Sequence, residues 1–277
     1  MNSSAQPNHH KGPDRRFAFG RNWMSFLTTL DERRIDEARG RLCESLGRDQ
    51  LQDIRVLDIG SGSGLSSLVM HQLGADIVAF DFDPDSVACT EELRRIYGSS
   101  DKSWTVQQGS VLDAEFMQSL GRFDLVYSWG VLHHTGSMWY ALDLAQQRVA
   151  PGGTLLIALY NDQGARSRIW RSVKRWYCSG AVGRSLITAL FFPLFWLYAL
   201  VLDCRHREFP GSHVRNYGRK RGMSITHDWR DWLGGYPFEV ANPEDVVQKL
   251  AVDGFKLVRQ TLTQGLGCNE FVFRRQP

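Results

Sequence analysis

Cysteine is scarce and poorly placed for either of its usual structural roles. The five present (Cys43, Cys89, Cys178, Cys204, Cys268) are odd in number, scattered, and form no C-x-x-C pair. That argues against a disulfide framework or a thiolate zinc site and fits reduced thiols in the cytoplasm. His9-His10 is too short for a metal tract, so no metal is expected. A surplus of one charge is also missing. With 33 Lys+Arg against 30 Asp+Glu the formal charge is +3, which hardly suggests a nucleic-acid partner. Met1 to Gly12 has no apolar core, so no signal peptide is expected there, only a polar tail. What remains is an ordinary globular composition, and 277 residues accommodate one large domain or a domain carrying an insertion.

The informative stretch runs from Ile54 to Gly64. Ile54, Val56, Leu57 and Ile59 form a short apolar, β-rich run of the kind found in buried parallel strands. Gly60, Gly62 and Gly64 follow on alternate positions, and Leu65, Leu68 and Val69 then show helical spacing. Strand, glycine turn and helix make the phosphate-side half of a nucleotide-binding βαβ unit. A second strand, Ile77 to Phe80, ends at Asp81, where a carboxylate can accept ribose hydroxyls. Pro84 opens the next helix. Trp104 to Gln107 and Phe123 to Ser128 read as the third and fourth strands. Ahead of all this, Phe17, Phe19, Trp23, Phe26 and Leu27 form an aromatic cluster read as packing. Thr29 and Glu32 have capping-box spacing for a leader helix to about residue 47.

The loop D-x-G-x-G-x-G from Asp58 to Gly64 is one residue tighter than the dinucleotide fingerprint. It resembles the first motif of the class I S-adenosylmethionine (SAM)-dependent methyltransferases. F-D-x-V at Phe123 to Val126, L-H-H at Leu132 to His134 and P-G-G at Pro151 to Gly153 resemble that family's later motifs, in order, across roughly residues 54 to 160. The resemblance is to a small-molecule branch that includes quinone-biosynthesis methylases. It implies an α/β fold with a Rossmann-like, doubly wound sheet of seven strands in the order 3-2-1-4-5-7-6, the last strand antiparallel. It implies SAM as cofactor, held by Asp58, Gly60, Ser61, Gly62, Gly64, Asp81, Phe82, Ser110, Val111 and Trp129. Ser110 stands where the family frequently has an acidic residue.

Residues 161–236 are too long for a crossover loop and are expected to be a helical insertion after the fifth strand. The leader would occupy 1–50 and the catalytic core 51–160 and 237–277. The insertion carries 13 Lys+Arg and 5 Asp+Glu. Arg168, Arg171, Lys174 and Arg175 are expected on one side of a helix, opposite Ile169, Val173, Trp176 and Tyr177, as in helices that lie on anionic membranes. Ser185 to Leu202 is an uncharged run at the lower limit for a span, interrupted by Pro193. A single crossing would put strands of one sheet on opposite sides of a bilayer. The run is therefore read as a buried helical pair, a lid or an in-plane anchor.

The expected activity is methyl transfer to a small or lipid-like acceptor through O, S or C. The other readings are SAM binding or membrane-surface attachment without catalysis, and NAD-type oxidoreduction, which the glycine spacing disfavours. His133, His134 and His227 are the candidate bases, and Tyr160 and Asn161 the candidate substrate contacts. The expected setting is cytoplasmic, with peripheral contact at the inner membrane face and a homodimer through the apolar insertion both open.

Overall fold

Val56, Leu57 and Ile59 are sealed from solvent because their strand, β1 (Arg55–Ile59), lies inside the sheet with a neighbour on each side. The computed structural model describes residues 20, 23, 27, 30–99, 103–221 and 225–277. Around β1 stand β2 (Asp76–Asp81), β3 (Trp104–Gln108), β4 (Phe123–Trp129), β5 (Val149–Tyr160), β6 (Phe255–Thr261) and β7 (Cys268–Arg275). Their order is 3-2-1-4-5-7-6. The first five pair in parallel, and β7 runs antiparallel to both β5 and β6. The expected sheet is the observed one.

One face is covered by α1 (Glu32–Leu46), α2 (Leu65–Gln72) and α3 (Pro84–Tyr97), through Ile35, Leu42, Leu68 and Leu93. The other face meets α4 (Ala114–Ser119) and α5 (Met138–Gln146) through Met117 and Leu142. α1 starts later than the capping-box spacing placed it: Asp31 is its cap, accepting the Arg34 N–H at 2.9 Å, and Thr29 lies outside the described residues, as do Phe17, Phe19 and Phe26. Pro84 occupies the first turn of α3 as expected, with Asp83 as cap.

The segment after β5 folds into α6 (Ala165–Tyr177), α7 (Ala181–His206), α8 (Ser212–Arg221) and α9 (Ile225–Gly234), after which α10 (Pro243–Val252) returns to the sheet. Tyr177, Ile187 and Leu233 centre a small third core, joined by Trp170, Val173, Phe191 and Phe195. Two expectations fail here. The apolar run is no helical pair but one continuous helix of 26 residues with Pro193 inside it. Pro193 lies on the exposed side, so the donor it lacks is missing there and not within the packed core. The faces of α6 were also misassigned. Lys174 is 0% exposed while Ile169 and Trp176 are each 62% exposed. The inward stripe is Ser167, Trp170, Lys174 and Tyr177, at the three- and four-residue steps of a packed face. Sorting by charge put Lys174 on the wrong side.

Candidate active site

The glycine loop is shaped by contacts that no other residue would permit. Gly60 has φ +75°, and a Cβ there would lie 2.5 Å from both Cγ atoms of Val131. Gly64 caps α2 at φ +82°, where a Cβ would stand 2.8 Å from the Thr90 backbone. Gly62 faces the indole of Trp23, whose Nε1 would be 3.3 Å from an added Cβ. The leader thus reaches the loop, and the Gly20 N–H donates to Asp83 Oδ2 at 2.9 Å. Ser61 Oγ is tied to Thr90 Oγ1 at 2.8 Å.

Asp81 closes this loop from the tip of β2. Its Oδ2 accepts the Gly62 N–H and its Oδ1 the Asp83 N–H, each at 2.9 Å. Burial pushes the carboxyl upward, against these hydrogen bonds. A carboxylate has about four lone-pair sites, and with the Phe82 N–H also acting on it capacity remains for a ribose hydroxyl. Bare backbone at a helix N-terminus with an acidic residue on its rim fits SAM, and Gly60, Gly62, Gly64 and Asp81 are the residues that would hold it. When bound, SAM supplies a methyl group activated by the sulfonium.

The other expected cofactor residues differ in exposure and bonding. Asp58 is buried behind the loop, takes the Ser67 Oγ–H at 2.6 Å, and is pushed up to about 7, chiefly by burial. It braces β1 against α2. Val111 belongs to the core beneath β3 and β4 rather than to an open face. Ser110 Oγ accepts the Leu112 N–H at 3.2 Å and shapes the turn before α4. Phe82 is exposed beside Asp81. Trp129, also exposed, donates from Nε1 to Glu270 Oε1 at 3.0 Å.

Beyond Val131 the chain turns through a 3-10 segment, Leu132–His134, which carries two of the expected acceptor-side residues. His133 is fully buried. Its Nδ1 accepts the Tyr160 N–H at 3.2 Å, and its Nε2 has no hydrogen-bond partner among the described residues. Burial, with His134 and Lys174 nearby, drives its pKa well below the ordinary value, and the Ala158 carbonyl opposes that only weakly. A neutral ring that accepts at Nδ1 carries its proton on Nε2. In that tautomer His133 offers a donor at Nε2, and its lowered pKa makes the ring a weak base. His134 Nδ1 lies 2.7 Å from the Pro237 carbonyl, and burial brings the ring down to about 4, too weak a base near neutral pH. The side chain of His227, on α9, lies outside the described residues.

Tyr160, at the end of β5, stacks on His133 with ring centroids 3.9 Å apart and lies 5.0 Å from Phe238 and 6.2 Å from Trp232. Asn161 does not join it. Its Nδ2 donates to the Thr263 carbonyl and its Oδ1 accepts from Asn269, both at 3.0 Å, so it secures the β6–β7 turn. Sequence reasoning missed Trp232, Phe238 and Lys174. The signal for Lys174 was Trp170 four residues before it and Tyr177 three after.

Known proteins agree with this geometry. Residues 30–222 match the family model described as a methyltransferase domain. The chain is 29% identical over 133 residues to a ubiquinone biosynthesis O-methyltransferase of Rhizobium etli, covering 46% of this chain and 52% of that protein. It is 30% identical over 171 residues to the protein of that name from Xanthomonas oryzae pv. oryzae, covering 58% and 67%. The chain thus spans about half the length of several curated relatives it matches. Among solved structures, magnesium protoporphyrin IX methyltransferase from Synechocystis PCC 6803, with bound S-adenosylhomocysteine, superimposes with TM-score 0.50 at 15% identity, covering 88% of this chain and 83% of that one. PKMT2 from Rickettsia typhi, in complex with the same compound, does so with TM-score 0.54 at 13% identity, covering 82% and 49%. These structures share the fold. With a family model over most of its length, a glycine loop and Asp81 suited to SAM, and the seven-stranded sheet behind them, the chain belongs to the class I SAM-dependent methyltransferase family.

Proposed function

We propose that the protein methylates a hydroxyl oxygen of an apolar small molecule that it collects at a membrane surface. The observation that carries this reading is the position of α7. It leaves the sheet's acceptor side with an uncharged outer face that includes Val182 (75% exposed), Leu190 (58%) and Tyr198 (64%). A contiguous apolar surface of this kind marks an interaction site. Arg175 on α6 lies beside Val182 and Leu186 of α7, and a basic residue near an anionic surface contributes up to ~1 kcal/mol. The helix is long enough to span a bilayer, but β5 before it and β7 after it are neighbours in one sheet. Lying in the membrane plane is the arrangement consistent with both facts. The O-methylating relatives favour oxygen as the methylated atom.

In this role the chain's own groups divide the work. The glycine loop and Asp81 fix the cofactor. Tyr160, Trp232 and Phe238 form an apolar wall that excludes water, and His133 Nε2 presents a hydrogen-bond donor to the acceptor. Replacing Asp81 with alanine is expected to weaken SAM binding by about 1.5–3 kcal/mol, read by titration calorimetry. NAD binding tighter than SAM would contradict the cofactor assignment.

Liposome flotation tests the membrane claim. The protein is expected to float with anionic vesicles, less so as salt rises, and Leu190→Glu with Leu194→Glu should abolish flotation while preserving SAM binding. A protein that ignores vesicles and elutes as a salt-insensitive dimer, converted to monomer by the same pair of substitutions, would assign the face to a second copy instead.

A further inference from the structure

An ammonium group shut away from water is costly unless an opposite charge meets it. Lys174 is fully buried, yet its one hydrogen bond goes to the Trp232 carbonyl. No carboxylate among the described residues lies within ion-pair distance of it. Its other close neighbours are ring faces, with Nζ 4.2 Å from the centroid of Trp232 and 5.0 Å from that of Phe238. Those rings are the ones that wall the acceptor side. On the same side stands His134. A Cβ on Gly235 would meet His134 Cε1 at 3.1 Å and Lys174 Nζ at 3.4 Å, so the imidazole and the amine flank one stretch of bare backbone. Tyr160 links this group to His133, whose buried Nε2 also lacks a partner. The Lys174 amine, with a single carbonyl partner among the described residues, and the His133 Nε2, with none, stand beside a shared aromatic wall.

We propose that Lys174 is the base of the reaction: it takes the proton of an acidic hydroxyl on the acceptor, a phenol, enol or carboxylic acid, and then holds the oxyanion as its ammonium partner. The proposal rests on the methyl-transfer reading above and names the acceptor's chemical class. The O–H bond breaks, its electron pair stays on oxygen, and the proton forms a new N–H bond at Nζ. No oxidant or reductant is involved. His133 Nε2–H supplies the second hydrogen bond to the oxyanion.

The charges around Nζ suit this task. His133 and His134 face it from the 3-10 turn, Cys178 from its own helix and Asp231 from α9. Burial brings Lys174 down to about 7, and the Cys178 and Asp231 contributions only partly oppose it. An amine brought down toward neutrality lies in the range where a general base works best. His134, at about 4, would give a proton back far more readily. An aliphatic alcohol is too weak an acid to yield its proton to an amine of this strength. An acidic hydroxyl is the acceptor that matches.

The probe is para-nitrophenol, whose phenolate is coloured, titrated spectroscopically against the protein saturated with S-adenosylhomocysteine so that no turnover occurs. The bound dye is expected to ionise about one pH unit lower than free dye, a tenfold preference for the phenolate. Lys174→Met and Lys174→Gln should both abolish that shift. The methionine variant is expected to melt no lower than wild type, because an apolar side chain replaces an unpaired buried charge. An unshifted dye, or a shift that survives in either folded variant, overturns the proposal. Calorimetry with S-adenosylhomocysteine separates the two levels. If no form binds it, the methyl-transfer reading fails; if all bind it and the dye is unshifted, only the role of Lys174 fails.

Discussion

His133→Ala is expected to slow methyl transfer about 10²–10³-fold while leaving SAM binding unchanged, the cost of removing one preorganised donor from a developing oxyanion. The ring is held by the Tyr160 N–H at one nitrogen and kept neutral by burial, so its Nε2–H needs no rearrangement to serve. Stopped turnover with intact calorimetric binding of SAM is the expected pair of readouts. A variant that turns over at the wild-type rate on its true acceptor would show that the orphaned Nε2 is only a feature of the core. His134→Ala should have a smaller effect, since its Nδ1 is spent on the Pro237 carbonyl.

Gly60→Ala is expected to cost about 2–4 kcal/mol, from the left-handed backbone and from forced overpacking together. The two parts are separable. The steric part is a collision with both methyls of Val131 at 2.5 Å, and the backbone part is φ +75°. Val131→Ala in the same chain should recover the first and leave the second, about 1–2 kcal/mol. Chemical denaturation of the single and double variants measures this as a coupling energy. Additive effects would mean that Val131 moves aside freely, and the loop would then be less rigid than its contacts imply. Because Val131 leads directly into the turn bearing His133 and His134, displacing it should also disturb the acceptor side.

The cofactor half was legible in the sequence because its logic is carried by backbone. Gly60, Gly62 and Gly64 declare a tight turn by composition alone, and Asp81 follows from being the polar residue at the end of an apolar run. Even there, the burial of Asp58 and Val111 was not legible, since motif position says nothing about which way a side chain at the strand end or turn is covered. The acceptor half resisted reading. Tyr160 ends β5 as its position in the apolar run suggests, but Asn161 beside it is bonded into the β6–β7 turn. Lys174 was hidden by its charge: a helical wheel sorted by polarity put it outside, whereas the spacing of Trp170 and Tyr177 puts it within. Long-range packing decides such cases. Trp232 and Phe238 come from more than fifty residues further along the chain, and nothing local announces them.

The place where the insertion leaves and rejoins the sheet has a consequence for how such a protein can change. Asn161 bridges Ala241 in parallel, the Ala241 N–H donates to the Tyr160 carbonyl at 2.9 Å, and the Asp162 N–H to the Ala241 carbonyl at 3.2 Å. The whole excursion is thus pinched shut at its root. Chain length added or removed above such a pinch alters loop-closure entropy only slowly and leaves the strand pairing untouched. The root behaves as a socket: helices carrying a different aromatic wall, or a different buried amine, could be exchanged there without disturbing the glycine loop. On the proposed function, acceptor choice and cofactor binding are built on parts of the chain that can diverge separately.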